Sequence, residues 1–152
     1  MKTTFLLIML FLSAISCQSG DRTSSDKNQQ NTTESEIVGT HWKLIQLEGQ
    51  DVKMADNQEK EIYFVLKSEG KKVEGFAGCN SINGTYTLEE GQRIHFSQMA
   101  VTLRACPDVA INENDYLQVF ELADNYTIHN GELALNVGKR APLAVFKAAA
   151  DH

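Results

Sequence analysis

From residue 37 onward, apolar and polar positions alternate in short runs, each closed by turn residues. Residues 40–47 (THWKLIQL) form the first predicted strand, with Trp42, Leu44, Ile45 and Leu47 as core candidates. Residues 49–59 are polar and read as a loop. Residues 62–67 (IYFVLK) are aromatic and β-branched, too short for a helix and suited to a strand. After the turn at Glu69-Gly70, Val73, Gly75 and Ala77 alternate with Glu74 and Phe76. This predicts a third strand with small residues on one face, which lets another element approach closely. Residues 78–84 (GCNSING) read as a turn-rich crossing. Residues 85–88 and 93–96 flank a hairpin signal at residues 89–92. Residues 97–107 have mixed periodicity and read as extended or irregular.

A single helix is predicted next. Asn112 is its N-cap, Asp115 is placed to reach back in a capping box, and Tyr116, Leu117, Phe120 and Ala123 share one face. Residues 126–129 and 132–137, joined by Asn130-Gly131, form a strong hairpin signal, and residues 143–147 are the last strand. About eight short strands and one helix, inserted between the fifth and sixth strands, predict a mainly β fold. It is an antiparallel barrel or a sandwich. The helix has one apolar face to bury, and the open end of a barrel is the economical place.

The first residues follow a different pattern. Lys2 precedes an apolar run at residues 5–12 and the small residues Ser13, Ala14 and Ser16. This is the length of a secretory signal and short of the ~20 residues of a membrane span. Residues 13–17 (SAISC) resemble a bacterial lipobox, with Ala14 where Leu is commoner. Residues 1–16 are therefore expected to be a lipoprotein signal peptide and Cys17 the acylated residue; an ordinary secretory signal with an incidental cysteine is the alternative. More than one acyl chain makes such an anchor stable. Gln18 following Cys17 favours the outer membrane, by resemblance to the enterobacterial sorting rule. Residues 18–36 hold no large apolar side chain and read as a disordered tether of roughly 25 Å average span. The expected division is a leader at 1–16, lipidated cysteine and tether at 17–36, a domain at 37–148 and a tail at 149–152.

Composition adds exclusions. The formal net charge of −6 argues against a nucleic-acid partner, whose phosphates need clustered Lys and Arg. Of three cysteines, Cys79 and Cys106 remain once Cys17 is lipidated, an even count in an oxidising compartment. A bridge between them would contribute roughly 3–4 kcal/mol in the chain-entropy account; two buried reduced thiols are the alternative. No C-x-x-C spacing supports a redox role. His41, His95 and His129 fall in three strands without ligand spacing, so no metal site is expected. Glu89-Glu90 reads as a solvated hairpin tip. Asn80 and Thr102 could bond a ligand, but such residues more often satisfy backbone groups in turns. No nucleophile elbow, zinc-protease, phosphate-loop or EF-hand pattern occurs, and neither catalytic residues nor a cofactor are expected.

A set of short pieces carries a family resemblance. Trp42, Gly78-Cys79-Asn80, Gly84-Thr85-Tyr86, Met99-Ala100-Val101-Thr102, Ala105-Cys106, Glu113 and residues 125–135 (NYTIHNGELAL) stand in order at matching distances. Together they resemble the META-domain family, the lipoproteins similar to heat-shock protein HslJ, over about residues 37–148. Val101 and Leu103-Arg104 depart from it, so no functional weight is placed on Arg104. The resemblance implies a small lipocalin-like antiparallel barrel with a plugging helix, a place in the bacterial envelope and a link to stress response. It implies no enzyme. A lipid-anchored, non-enzymatic module, monomeric and contacting an envelope protein or surface component, is the expected function; a binder of a small hydrophobic ligand is the alternative.

Overall fold

The computed structural model describes residues 36–149 except 57, 59, 107 and 108. The leader, Cys17 and most of the expected tether lie outside these residues. Nine strands, one α-helix and a 3-10 turn at Glu69–Lys71 lie wholly within these residues, the strands and α-helix in the order β1 (His41–Leu47), β2 (Gln50–Asp51), β3 (Tyr63–Lys67), β4 (Lys72–Phe76), β5 (Ser81–Glu89), β6 (Arg93–Val101), α1 (Glu113–Leu122), β7 (Asn125–His129), β8 (Glu132–Asn136) and β9 (Ala144–Ala149). All strand pairs are antiparallel, and β1 pairs with both β3 and β9, which closes an eight-stranded barrel. β2 is a two-residue addition to the outside of β1. Among the described residues, no helix is long and apolar enough to cross a membrane.

The alternation in the sequence explains which side chains turn inward. Trp42 and Leu44 on β1, Phe64 and Leu66 on β3, Val73 and Gly75 on β4 and Ala77 just beyond it are all buried, with exposed Glu74 between Val73 and Gly75. Two bulges interrupt the rule. Ile45 is an extra residue against β9, so Leu47 and not Gln46 follows Leu44 into the core. In β6 the register against β5 shifts at Gln98, whose φ is +53°. That bulge explains the mixed periodicity of residues 97–107: β6 runs through them as far as Val101 and only the rest is irregular. Likewise, the expected crossing at 78–84 is shorter, because Ser81 already begins β5.

Turn chemistry shapes one rim. Asn130 and Gly131 both have positive φ, +52° and +77°, and join β7 to β8 in a two-residue hairpin. The longer connections 77–80 and 102–112 meet the end of 48–62 at another rim, around Gly78, Val109 and Ile62. Glu48-Gly49, also both at positive φ, is a second two-residue turn inside the region expected to be loop.

The barrel wall has one thin seam. β6 and β7 pair only through Arg93 and Asn125. The helix lies against β6 and leads directly into β7, so it plugs the barrel where these strands part and not as a lid over an open end. It buries Tyr116, Val119 and Phe120. Phe64 stands at the centre, with Phe96, Phe120 and Phe146 meeting it edge to face at 6.3, 5.5 and 4.8 Å. Aromatic rings from three strands and the helix thus fill the interior.

Candidate functional site

The motif residues converge at the rim of long connections. Gly78 opens the β4–β5 turn at φ +97°, and a Cβ there would overlap the Val109 side chain. The turn is tied by the Ala77 N–H donating to the Asn80 carbonyl at 2.8 Å. Asn80, 3 % exposed, then projects its amide between two other segments. Its Nδ2 donates to Glu113 Oε2 at 2.8 Å and to the Arg104 carbonyl at 3.1 Å. Its Oδ1 accepts from the Thr102 hydroxyl at 2.9 Å and from the Arg104 N–H at 2.7 Å. Both amide hydrogens and both oxygen lone pairs are therefore taken by protein groups. The Asn80 backbone N–H adds a bond to Glu113 Oε1 at 3.0 Å, and Thr102 Oγ1 accepts from the Ser81 N–H at 3.1 Å.

This arrangement fastens the segment after β6 and the first turn of the helix to the β4–β5 turn. Asn112 caps the helix by accepting from the Asn114 N–H at 3.0 Å. The first-turn carboxylate that makes hydrogen bonds is Glu113, towards Asn80, in place of Asp115 reaching back to the cap. Cys79 and Cys106 are bonded to each other, with Cα atoms 5.9 Å apart, so the disulfide and the Asn80 amide grip the same segment side by side. Of Arg104, only the backbone takes part; its side chain is exposed. Leu103 beside it is 94 % exposed. A cleft of ≈ 280 Å³ opens here, lined by Cys79, Arg104, Cys106, Val109, Ile111, Asn112 and Glu113.

The other motif residues lie elsewhere in the wall. Trp42 is buried, and its Nε1–H donates to the Ile37 carbonyl at 3.0 Å, tying down the chain where it joins the barrel. Tyr86 is buried, donates to the Lys67 carbonyl at 3.2 Å and lies under the Lys71 ammonium. Gly84 and Met99 face each other at the β6 bulge, where a Cβ on residue 84 would overlap the Met99 sulfur. Among the described residues the histidines His41, His95 and His129 stay apart, on β1, β6 and β7. His41 stacks on Tyr63 at 4.0 Å; its Nε2 lies 3.3 Å from Glu61 Oε1 without hydrogen-bond geometry, and Lys43 shares that carboxylate at 2.8 Å. Glu89 stands exposed at its hairpin tip, 3.7 Å from Arg93.

Two residues read from the sequence only as helix end and helix face do more than that. Asp124 accepts from the Gly138 N–H at 2.9 Å and from Asn125 Nδ2 at 2.6 Å. These bonds hold its carboxyl below its ordinary range, the backbone one most strongly. Asn125 in turn accepts from Asn136, so the end of the helix, β7 and β8 are knotted together. A cluster of Asp and Asn beside turns is the signal that could have pointed there. Tyr116 is the other. Its hydroxyl is fully buried with no hydrogen-bond partner among the described residues, and burial pushes it well above the ordinary tyrosine value.

The family model described as META domain matches residues 35–150. Two solved structures share the fold. An NMR structure of a protein from Burkholderia xenovorans superposes with a TM-score of 0.59 at 21 % identity, covering 79 % of this chain and 88 % of that one. A second protein solved by NMR gives 0.57 at 20 % identity, covering 75 % of this chain and 92 % of the other. No curated protein matches the chain.

Proposed function

Because this chain belongs to the META-domain family, we propose that it is an envelope lipoprotein related to heat-shock protein HslJ, acting by contact and not by turnover. Cys17 carries the acyl chains, and the barrel hangs from the outer membrane on residues 18–36. One observation carries the reading. The polar groups of the site are used up on one another, with every side-chain hydrogen-bonding position of Asn80 met by Thr102, Arg104 or Glu113. A catalytic or ligand-coordinating amide needs a free position, and this one has none. The interior, where a lipocalin-like barrel would hold its ligand, is occupied by Phe64, Phe96, Phe120 and Phe146. That weighs against the alternative of a small hydrophobic ligand and leaves the outer surface as the part that works.

The test is intact-mass analysis of the protein extracted from membranes of its bacterium, followed by crosslinking in unbroken envelopes. The expected product begins at Cys17, carries added acyl mass and crosslinks to a protein or surface component. A product starting upstream of residue 17 without lipid overturns the anchor. Saturable binding of an apolar dye that displaces no crosslinked partner overturns action by contact.

A further inference from the structure

The Cys79–Cys106 bond has an uneven setting. Cys79 is 5 % exposed, whereas Cys106 is only half-buried, and the bond borders the open cleft of ≈ 280 Å³. A thiolate attacks a disulfide along the line of the S–S bond, so access to one sulfur decides which sulfur departs. Both cysteines border the cleft, and Cys106 is the more exposed of the two, so its sulfur is the easier one to approach. We infer that Cys79–Cys106 is an exchangeable disulfide, opened by a dithiol that attacks Cys106 and releases Cys79.

Three further features fit this role. The Cys79 sulfur lies 3.5 Å from the Arg104 carbonyl oxygen, so the thiol formed on release finds an acceptor already in place. Thr102 and Arg104 are held by Asn80 independently of the sulfur bond, so the barrel and the docked segment persist after reduction. Arg104 also lines the cleft, and its guanidinium brings positive charge to the side from which a thiolate arrives. The Glu113 carboxylate on the same wall has both oxygens engaged by Asn80. Reactivity of this kind rests on exposure and not on the absent C-x-x-C spacing.

The chemistry balances as a two-electron exchange. The thiolate of the dithiol bonds to Cys106 Sγ as the Cys79–Cys106 bond breaks, and Cys79 leaves as a thiolate that takes a proton from solvent. The second thiol, deprotonated, then attacks the donor's own sulfur in the mixed disulfide. Cys106 leaves and is protonated in turn. The dithiol ends as a disulfide, and the two cysteines end as thiols.

The test uses the full chain in native buffer with dithiothreitol, quenched by alkylation and followed by mass. Reduction is expected to speed up in proportion to dithiothreitol, with near-ultraviolet circular dichroism retained. A rate that does not depend on dithiothreitol means that unfolding gates access, and overturns the inference. With glutathione disulfide as probe, Cys79→Ser is expected to form an adduct on Cys106, releasing reduced glutathione, at a level roughly tenfold or more above any adduct on Cys106→Ser. Should either variant fail to fold, wild-type protein under limiting reduced glutathione gives the same answer by peptide mapping. An adduct on Cys106 supports the assignment; an adduct on Cys79, or none, overturns it.

Discussion

At the scale of single residues, Asn80 and Tyr116 are opposites. Asn80 has no unmet hydrogen-bonding position, and replacing it strands several groups at once: the Glu113 carboxylate, the Arg104 N–H and carbonyl, and the Thr102 hydroxyl. Asn80→Ala is expected to lower stability by roughly 3 kcal/mol, read from urea unfolding. Tyr116 buries a hydroxyl that bonds to nothing described. Tyr116→Phe, usually a loss, is expected here to raise stability by about 1 kcal/mol in the same measurement; a loss of that size would reveal a partner for the oxygen. Neither fact was legible in local patterns. Thr102 and Glu113 lie 22 and 33 positions from Asn80, beyond the reach of any periodicity. The family resemblance singled out these residues, but their mutual contact needed the closed barrel.

At the scale of elements, what was readable depended on whether the cause was local. The hairpin at Asn130-Gly131, the small face of Val73, Gly75 and Ala77, and the cap at Asn112 each rest on chemistry within a few residues, and each stands where the pattern put it. The second half of β6 was hidden because one extra residue flips the alternation beyond it. Gln98 there holds a left-handed conformation at φ +53°, which costs a side-chain-bearing residue roughly 1–2 kcal/mol. Gln98→Gly is therefore expected to raise the melting temperature, with a gain of up to about 1 kcal/mol after the entropy cost of glycine. Thermal unfolding checks it, and a lower melting temperature would show that the Gln98 side chain contributes more than its backbone strain costs.

At the scale of the molecule, closure depends on a thin seam, and Asp124 sits beside it. Its backbone carbonyl accepts from the Ile94 N–H and its N–H donates to Asn136, while its carboxylate binds Gly138 and Asn125. A carboxyl held below its ordinary value adds stability above the unfolded pKa, near 3.9, which is lost as pH falls through the folded value. Asp124→Asn should thus be less stable than wild type at neutral pH, with the gap shrinking below about pH 4. Parallel losses at every pH would assign the effect to shape instead of charge. The pairing of β1 with β9 has its own consequence, because it sets His41 beside Ala149. Chain order is thus incidental to the architecture: a short linker from residue 149 back to 37, with new ends cut at Asn130-Gly131, yields a circular permutant expected to keep the same β-rich dichroism and to unfold in one cooperative step.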